Sequence, residues 1–230
     1  VGNSLTVGKA AALTRQLIGD KGLREHSFVH AHGTGTPQNR VTESVILDRV
    51  AEAFGVRQWP VTAIKAFVGH SLGSAGGDQL AATLGSFAQG ILPGIRTIDH
   101  IASDVHRQHL DFAIDHVPRD DLQASLINSK GFGGNNATAV ALSARVTEAM
   151  LQQRHGSKAI SHWQTARDTV LQAKSRFRDH CLHEAPKPVY RFNEGVMGDE
   201  AVTLTGDAMQ LNGGTTMTFD DDNGLAAYQI

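Results

Sequence analysis

The sequence has little of what disulfide, thiolate-metal or membrane-spanning structures require. Cys181 is the only cysteine among the 230 residues, so an internal disulfide is excluded and there is no Cys-x-x-Cys metal motif. No apolar run approaches the roughly 20 residues that a helix needs to cross a bilayer. The first residues also lack the basic and apolar regions of a secretory signal. These absences predict a protein of the reducing cytoplasm.

An excess of charge of one sign is also missing. Lys and Arg together number 21 and Asp and Glu together 23, which leaves a formal net charge of -2. This balance argues against nucleic acid or another polyanion as the main ligand. Hydrophobic residues make up 40% of the chain. At this length, such a share predicts one large domain, alone or with an appendage.

The order of the predicted elements indicates the fold class. Apolar residues recur at helical spacing in some segments, and short apolar runs bounded by glycine or polar residues lie between them. The predicted helices are 4–20, 42–54 and 75–89, and the predicted strands are 27–32, 61–68, 91–98, 110–117, 124–129 and 137–143. This pattern predicts a layered α/β fold with a mixed sheet packed by helices.

The composition changes near residue 145. Residues 146–183 contain almost no glycine or proline and are rich in Gln, Arg, Lys and His, which predicts one or two long amphipathic helices. Pro186 and Pro188 end these helices at about residue 185, and a short β and coil tail follows. We therefore divide the chain into a domain of residues 1–145 and an extension of residues 146–230.

Three Gly-rich segments carry polar or titratable side chains at the ends of apolar runs. They read His30-Ala-His-Gly-Thr-Gly-Thr-Pro37, Lys65-Ala-Phe-Val-Gly-His70-Ser-Leu-Gly73 and Asn128-Ser-Lys-Gly-Phe132-Gly-Gly-Asn-Asn-Ala137. Glycine lets the backbone come close to a substrate, and loops at strand ends are where catalytic groups are exposed. Their shared pattern indicates that the three segments build one site.

The titratable residues of these segments allow more than one interpretation. His30 and His32 alternate along a strand and share a face, so they are either zinc ligands or one catalytic and one structural imidazole. Because no nearby Cys, Asp or Glu completes a ligand set, a metal site is disfavoured. Lys65 stands in an apolar predicted strand, where a lysine is either paired or extends to the surface. The neighbouring His70 favours the functional interpretation of Lys65.

A second mechanism fits the middle segment. Gly69-His-Ser71-Leu-Gly73 matches the Gly-x-Ser-x-Gly nucleophile elbow of α/β-hydrolases, between a strand and a helix as that motif requires. The acid and base of a triad would be Asp99 or Asp104 and His106 or His109. They follow Ser71 too closely for the βα units that normally intervene. A serine esterase that uses Ser71 stays an alternative, and the competing role of Ser71 is a helix cap.

Taken together, the three segments resemble the C-terminal half of the β-ketoacyl-acyl carrier protein synthases, which are condensing enzymes of the thiolase superfamily. The similarity covers about Leu5 to Ala144. Its motifs are His32-Gly-Thr-Gly-Thr-Pro, Lys65-x-x-x-Gly-His70-x-x-Gly-x-Ala-Gly and Asn128-Ser-x-Gly-Phe132-Gly-Gly-x-Asn136-Ala. The resemblance implies a thiolase-like fold and the decarboxylative condensation of an acyl thioester with malonyl-carrier protein, in fatty acid or polyketide synthesis. It implies neither a cofactor nor a metal.

The resemblance also assigns roles by motif position. His32 and His70 would assist decarboxylation and stabilise the enolate, and Lys65 would orient and tune the site. The supporting residues would be Glu43 as the partner of Lys65, Phe132 as the gate of the acyl pocket and a backbone donor of the oxyanion hole, Gly133 and Asn128. The resemblance further implies acyl carrier protein as a partner and a homodimer.

The sequence departs from the family pattern at several positions. Arg40 stands where the family usually has an acid, Ala66 replaces a common serine, and Lys130 replaces an aromatic or aliphatic residue beside the gate. The family's nucleophilic cysteine belongs to an N-terminal half, whereas Cys181 follows the histidines in another context. We therefore expect the chain to act together with an N-terminal ketosynthase half. The remaining alternative is a non-catalytic ketosynthase-like partner. The extension is similar to that of longer bacterial members.

Overall fold

The computed structural model of the protein describes residues 1–185, 187 and 192–219. Contacts divide the chain into two compact units, Val1–Ala166 and Arg167–Ile230. The predicted helix stops Pro186 and Pro188 lie outside the described residues. Contacts thus separate the units some way beyond residue 145, and the division at 145 stays a prediction.

The first unit begins with helices and strands in turn, continues with five successive strands and ends in two helices. The helices are α1 (Gly2–Glu25), α2 (Pro37–Ala53), α3 (Lys65–Val68), α4 (Ala75–Gln89), α5 (Ala144–His155) and α6 (Ser157–His183), the last of which continues into the second unit. The strands are β1 (Ser27–His30), β2 (Trp59–Thr62), β3 (Ile91–Leu92), β4 (Leu110–Asp111), β5 (Val117–Pro118), β6 (Ala124–Lys130) and β7 (Asn136–Leu142).

The main sheet of this unit has five strands in the order β4-β2-β1-β6-β7. β1 runs parallel to both of its neighbours, with Val29 opposite Val61 of β2 and Leu126 of β6. β2 is also parallel to β4, whereas β7 is antiparallel to β6. The predicted α/β class with a mixed sheet packed by helices is therefore confirmed.

Strand β1 is buried on both faces, as is usual for a central parallel strand. On one face Val29 belongs to an apolar cluster with Val7 of α1 and Leu47 of α2. On the other face Phe28 packs edge-to-face on Phe87 of α4, with 6.0 Å between the ring centroids. The strand is thus fixed between two layers of helices, which makes its carboxyl end a rigid support.

Helix α4 turns a polar side toward the sheet. Gln79, Thr83 and Ser86 are buried, whereas Leu80 and Leu84 are 43% and 54% exposed. This is the reverse of the pattern of an ordinary surface helix. The helix therefore holds the sheet through hydrogen bonds and leaves apolar surface on its outer side.

The predicted strand at 61–68 was wrong in its second half. β2 ends at Thr62, where its pairing with β1 stops opposite His30, the last residue of that strand. Residues 65–68 instead form one helical turn, which Gly69 ends with a φ of 73°. Lys65 therefore begins a turn at the edge of the sheet and is not inserted into an apolar strand.

Other predicted boundaries also differ. The runs at 91–98 and 110–117 shrink to the two-residue strands β3, β4 and β5, and Pro93 has no N–H with which to extend β3. α2 begins at Pro37 instead of 42, because the Thr36 hydroxyl caps it and proline favours the first helical turn. α1 extends past residue 20 to Glu25 with a kink at Gly19.

The second unit contains, among its described residues, the remainder of α6 and a small antiparallel sheet. Its strands are β8 (Val202–Leu204), β9 (Ala208–Leu211) and β10 (Thr215–Thr218), in the order β10-β9-β8. Cys181 lies in α6 and has no disulfide partner. Among the residues that the structure describes, no helix is long and apolar enough to cross a membrane.

Candidate active site

The three Gly-rich segments meet at one edge of the main sheet. β2, β1 and β6 are adjacent and parallel, so their carboxyl ends lie at the same edge. His32 follows β1, Lys65 and His70 follow β2, and Lys130 is the last residue of β6. Strand order thus brings together residues that are far apart along the chain.

The turn after His32 requires glycine. Gly33 has a φ of 55°, and a Cβ atom there would lie 2.9 Å from the Cβ of Ala63. Both the left-handed backbone and the contact exclude a larger residue without distortion. The chain can therefore turn away from the sheet directly behind the imidazole.

The imidazoles of His32 and His70 lie next to each other in an edge-to-face arrangement. Their ring centroids are 5.4 Å apart and their planes meet at 84°. The Nδ1 of His32 accepts the backbone N–H of Lys130 at 3.3 Å, and the Nδ1 of His70 accepts that of Leu72 at 3.1 Å. A neutral imidazole that accepts at Nδ1 carries its proton on Nε2. The hydrogen bonds therefore assign both rings as Nε2–H donors.

The buried carboxylate of Glu43 anchors the start of this site. Its Oε1 accepts the backbone N–H of His32 at 2.8 Å and the Asn128 amide at 2.6 Å. Its Oε2 accepts the backbone N–H of Gly33 and the Asn39 amide, both at 3.0 Å. Such charge-assisted bonds are stronger than neutral ones. Glu43 thus ties α2 to the turn behind His32 and to β6.

Lys65 contacts the main chain of His32 directly. Its Nζ donates to the carbonyl of His32 at 2.6 Å. Burial lowers the pKa of Lys65, while the charges of Glu43 and Asp78 act in the opposite direction. The Lys65–Glu43 pairing that the resemblance implies is therefore an interaction through space. Lys65 bonds to the carbonyl of His32, and Glu43 bonds to the N–H groups of His32 and Gly33 as well as to two asparagine amides.

The environment of His32 keeps its imidazole neutral. Burial, followed by the positive charge of Lys65, lowers the pKa of His32 to about 4, and Glu43 opposes this only in part. His70 and Lys130 lower it further. At pH 7 the ring is therefore a hydrogen-bond donor through Nε2 and carries no charge.

The third segment ends in a short turn at Phe132–Gly134. The Phe132 ring is 96% exposed, and Gly133 has a φ of 76°, in the left-handed region. Lys130, just before the turn, donates from Nζ to Asn39 Oδ1 at 2.9 Å. Lys130 thus reaches Glu43 through Asn39, a connection that sequence reasoning did not predict.

A cavity of about 630 Å³ opens onto this group of residues. Its lining includes His32, His70, Lys130, Gly131, Phe132 and Thr34. A second cavity, of about 480 Å³, is lined in part by Lys65, Glu43 and His70. A ligand in the larger cavity has both imidazoles within its walls.

Gln79 is the main buried residue that the sequence analysis missed. Its Nε2 lies 3.2, 2.8 and 3.0 Å from the carbonyl oxygens of His30, Ala31 and Asn128, and its Oε1 accepts the Ser129 hydroxyl. It thereby joins the ends of β1 and β6 where they deliver the site residues. The available signal was the polar spacing of residues 79, 83 and 86 on one side of an otherwise small-residue helix.

The residues of the hydrolase alternative do not assemble into a triad. The Ser71 hydroxyl donates to Asp78, on the helix that follows it. Both downstream acids and one of the two bases are engaged elsewhere, Asp104 with Arg40, Asp99 with His100 and the His109 ring with Asp48. Arg40, at the position where the resemblance implies an acid, thus forms a salt bridge with the carboxylate of Asp104.

His30 and His32 do not form a shared metal site. The Nδ1 of His30 lies 3.3 Å from Thr83 Oγ1, and its Nε2 accepts the backbone N–H of Ile64. Burial, followed by the charge of Lys65, lowers the pKa of His30 to about 4. Within the described part of the chain, no three His, Cys, Asp or Glu side chains are grouped so as to hold a metal ion.

The free energy of unfolding should fall as the pH is lowered from 7 toward 4. The unfolded chain takes up a proton on His30 near pH 6.5, whereas the folded chain resists protonation until about pH 4. For His30 alone this difference corresponds to about 3 kcal/mol. Urea unfolding at several pH values measures it. A His30→Gln variant, which cannot titrate there, should lose less stability over this range, and equal losses would contradict the explanation.

Comparison with known proteins agrees with this geometry. Residues 5–99 match the family described as beta-ketoacyl synthase, C-terminal domain. The chain is 47% identical over 213 residues to the beta-ketoacyl-[acyl-carrier-protein] synthase FabY of Pseudomonas aeruginosa. These residues make up 92% of this chain and 34% of that protein. The chain is also 34% identical over 113 residues to the 3-oxoacyl-[acyl-carrier-protein] synthase 1 of Escherichia coli K12. This alignment covers 49% of the chain and 26% of that protein.

The fold leads to the same family. The crystal structure of the ketosynthase FabY from P. aeruginosa is similar with a TM-score of 0.83 and 44% identity, over 100% of this chain and 36% of that one. The similarity to FabY therefore includes the extension after residue 145. The chain spans about a third of the length of FabY, or 34% of it. The motifs, the site and the fold together establish that the chain belongs to the β-ketoacyl synthase family and carries its C-terminal domain.

Proposed function

We propose that the chain supplies the decarboxylating part of a β-ketoacyl-acyl carrier protein synthase. The observation that carries this proposal is the pair of adjacent imidazoles, both of which have Nδ1 occupied by a backbone N–H and Nε2–H available. Two neutral donors at one point stabilise an oxygen that gains negative charge. That is the requirement of a reaction that passes through an enolate.

The proposed reaction needs no redox step. The malonyl thioester loses its carboxylate as carbon dioxide, and the electrons of the broken C–C bond move to the thioester carbonyl, which becomes an enolate. The Nε2–H groups of His32 and His70 hold the enolate oxygen. The enolate carbon then attacks the acyl thioester of an enzyme cysteine, the C–S bond breaks, and the thiolate leaves. The product is a β-ketoacyl thioester.

Lys65 and Glu43 support this step indirectly. Burial and then the positive charge of Lys65 disfavour imidazolium at His32, so the donor stays neutral and does not transfer a proton prematurely. Glu43 fixes the backbone of His32 through two hydrogen bonds to the turn. We assign Phe132 as the gate of the acyl pocket and Asn128 and Gly133 as supports of the third segment.

We further propose that an N-terminal ketosynthase half covers the outer side of α4 and carries the nucleophilic cysteine. Leu80 and Leu84 leave apolar surface there, and Phe132 presents its ring to solvent. Cys181, the one cysteine of the sequence, lies in α6 and follows the histidines along the chain. FabY is about three times as long as this chain, which leaves room for such a half.

The proposed partners follow from the relatives. FabY is named a synthase of an acyl-[acyl-carrier-protein] product, so we propose acyl- and malonyl-carrier proteins as substrates, in fatty acid or polyketide synthesis. We also propose a cytoplasmic homodimer. A non-catalytic partner role is less well supported, because both histidines and Lys65 are present and hydrogen-bonded at the cavity.

The test uses the complete synthase with malonyl-carrier protein and a fluorophosphonate probe. We expect release of carbon dioxide and no labelling of Ser71, because the Ser71 hydroxyl is bonded to Asp78 and has no histidine as a base. Intact-mass and peptide mass spectrometry detect the probe. Labelling of Ser71 without carbon dioxide release would favour the esterase alternative, and neither signal would favour the non-catalytic partner.

A further inference from the structure

His30 is the buried titratable group for which the proposed reaction has no use. Its side chain is among the largest that are fully buried, at 1% exposure. Its ring joins two elements, because Nδ1 pairs with Thr83 Oγ1 of α4 at 3.3 Å and Nε2 accepts the backbone N–H of Ile64 at 3.2 Å. A neutral side chain with two specific partners in the interior is a positional constraint.

Ile64 is the N-cap of the helical turn Lys65–Val68, which we call the Lys65 turn. The last sheet bond between β1 and β2 runs from Ala31 N–H to the Thr62 carbonyl, so Ile64 N–H lies beyond the ladder. The Ile64 carbonyl accepts the N–H groups of Phe67 and Val68. The imidazole of His30 therefore replaces a strand partner at the point where the chain leaves the sheet.

Helix α4 fixes His30 from its other side. Besides the Thr83 hydroxyl at Nδ1, the Gln79 amide donates to the His30 carbonyl at 3.2 Å. Thr83 and Gln79 are both 0% exposed. The ring thus transmits the position of a packed helix to the turn that carries Lys65.

We propose that His30 is a positioning residue that holds the Lys65 turn and so keeps the Lys65 ammonium against the carbonyl of His32. The contact that depends on His30 is the 2.6 Å hydrogen bond from Lys65 Nζ to the carbonyl oxygen of His32. The consequence for catalysis rests on the proposed function, but the positional role does not.

The bonds of His30 require a neutral ring with its proton on Nδ1. Nε2 must be unprotonated to accept from Ile64, so Nδ1–H donates to Thr83. His32, two residues later, has the opposite arrangement, with Nδ1 as the acceptor. The two imidazoles of this segment are therefore held in different tautomers for different tasks.

The experiment measures the pKa of His32 in the complete synthase by NMR with ¹³C-labelled histidine, assigned with a His32→Gln variant. The charged or titratable groups that act on His32 are Lys65, Glu43, His70 and Lys130. His30→Leu removes the acceptor of the Ile64 N–H, which frees the turn and lets the Lys65 ammonium move away. We expect the pKa of His32 to rise from about 4 toward the value that His32 has in a Lys65→Met variant.

Two further variants make the test specific. His30→Gln, whose Oε1 can accept the Ile64 N–H, should keep the pKa of His32 close to the parent value. Ile64→Pro deletes the same hydrogen bond from the other partner, at a φ of -63° that suits proline, and should raise the pKa as His30→Leu does. Because the two variants are independent, Ile64→Pro decides if His30→Leu does not fold.

A double-mutant cycle separates position from stability. In the Lys65→Met background, His30→Leu should add no further rise, because the cation through which it acts is absent. A Thr14→Val variant, which loses a buried hydroxyl bond in α1, serves as the matched control and should leave the pKa unchanged. An unchanged pKa in His30→Leu and Ile64→Pro, or an equal rise without Lys65, would overturn the proposal. The NMR measurement does not require catalytic turnover. A synthase that releases no carbon dioxide would therefore contradict the proposed function and leave the test of the positioning role of His30 intact.

Discussion

Replacing His32 or His70 with alanine in the complete synthase should lower carbon dioxide release from malonyl-carrier protein by about 100- to 1,000-fold, the usual effect of losing one oxyanion donor. Each substitution removes one Nε2–H from the pair of rings that lie 5.4 Å apart. The enolate oxygen then keeps a single donor. A steady-state assay of carbon dioxide release at saturating substrate measures the loss.

Two controls define this result. His106→Ala removes an exposed histidine whose backbone N–H, and not its ring, bonds to Ser44, and it should leave the rate unchanged. The double variant His32→Ala/His70→Ala should lose less than the product of the single effects, because the two donors act on one oxygen. Full decarboxylation by both single variants would reject the two histidines as the enolate donors.

Glu43→Gln should lower the free energy of unfolding of the chain by about 3 kcal/mol, although it only replaces one carboxylate oxygen by an NH₂ group. The two carboxylate oxygens each accept one backbone N–H, from His32 and Gly33. Whichever way a glutamine amide is turned, its NH₂ group faces one of these N–H groups, and a peptide group cannot flip to compensate. Urea unfolding measures the difference.

The matched control for this substitution lies on the same helix. Glu52→Gln changes an exposed carboxylate of α2 and should leave the stability nearly unchanged. If Glu43→Gln were as stable as the parent, the two backbone bonds would not carry the charge-assisted energy assigned to them. Lower activity at unchanged stability would instead give Glu43 an electrostatic role alone.

Much of the site was predictable because its residues lie at fixed positions after strands. Glycines at the ends of predicted strands indicated where His32 and His70 would lie, and parallel strand order brings these turns to one edge. The family resemblance supplied the roles, which local patterns alone left open. The alternation of helices and strands likewise sufficed for the fold class.

Sequence patterns could not predict the hydrogen-bond partners of the individual side chains. Lys65 looked like part of a strand because Val61, Phe67 and Val68 are apolar, but the strand loses its neighbour after His30 and the chain turns. The role of Gln79 depends on the convergence of carbonyls from β1 and β6, which no local window contains. Such contacts are decided by tertiary structure.

The groups that orient the two imidazoles are peptide N–H groups, those of Lys130 and Leu72. Every amino acid except proline offers the same donor, so evolutionary drift at these two positions leaves the orientation intact. The lysine at position 130 therefore supplies the same backbone donor as any other side chain there would, proline excepted. The side chains of residues 72 and 130, which line the cavity, can thus be exchanged while their main-chain atoms continue to hold the two rings.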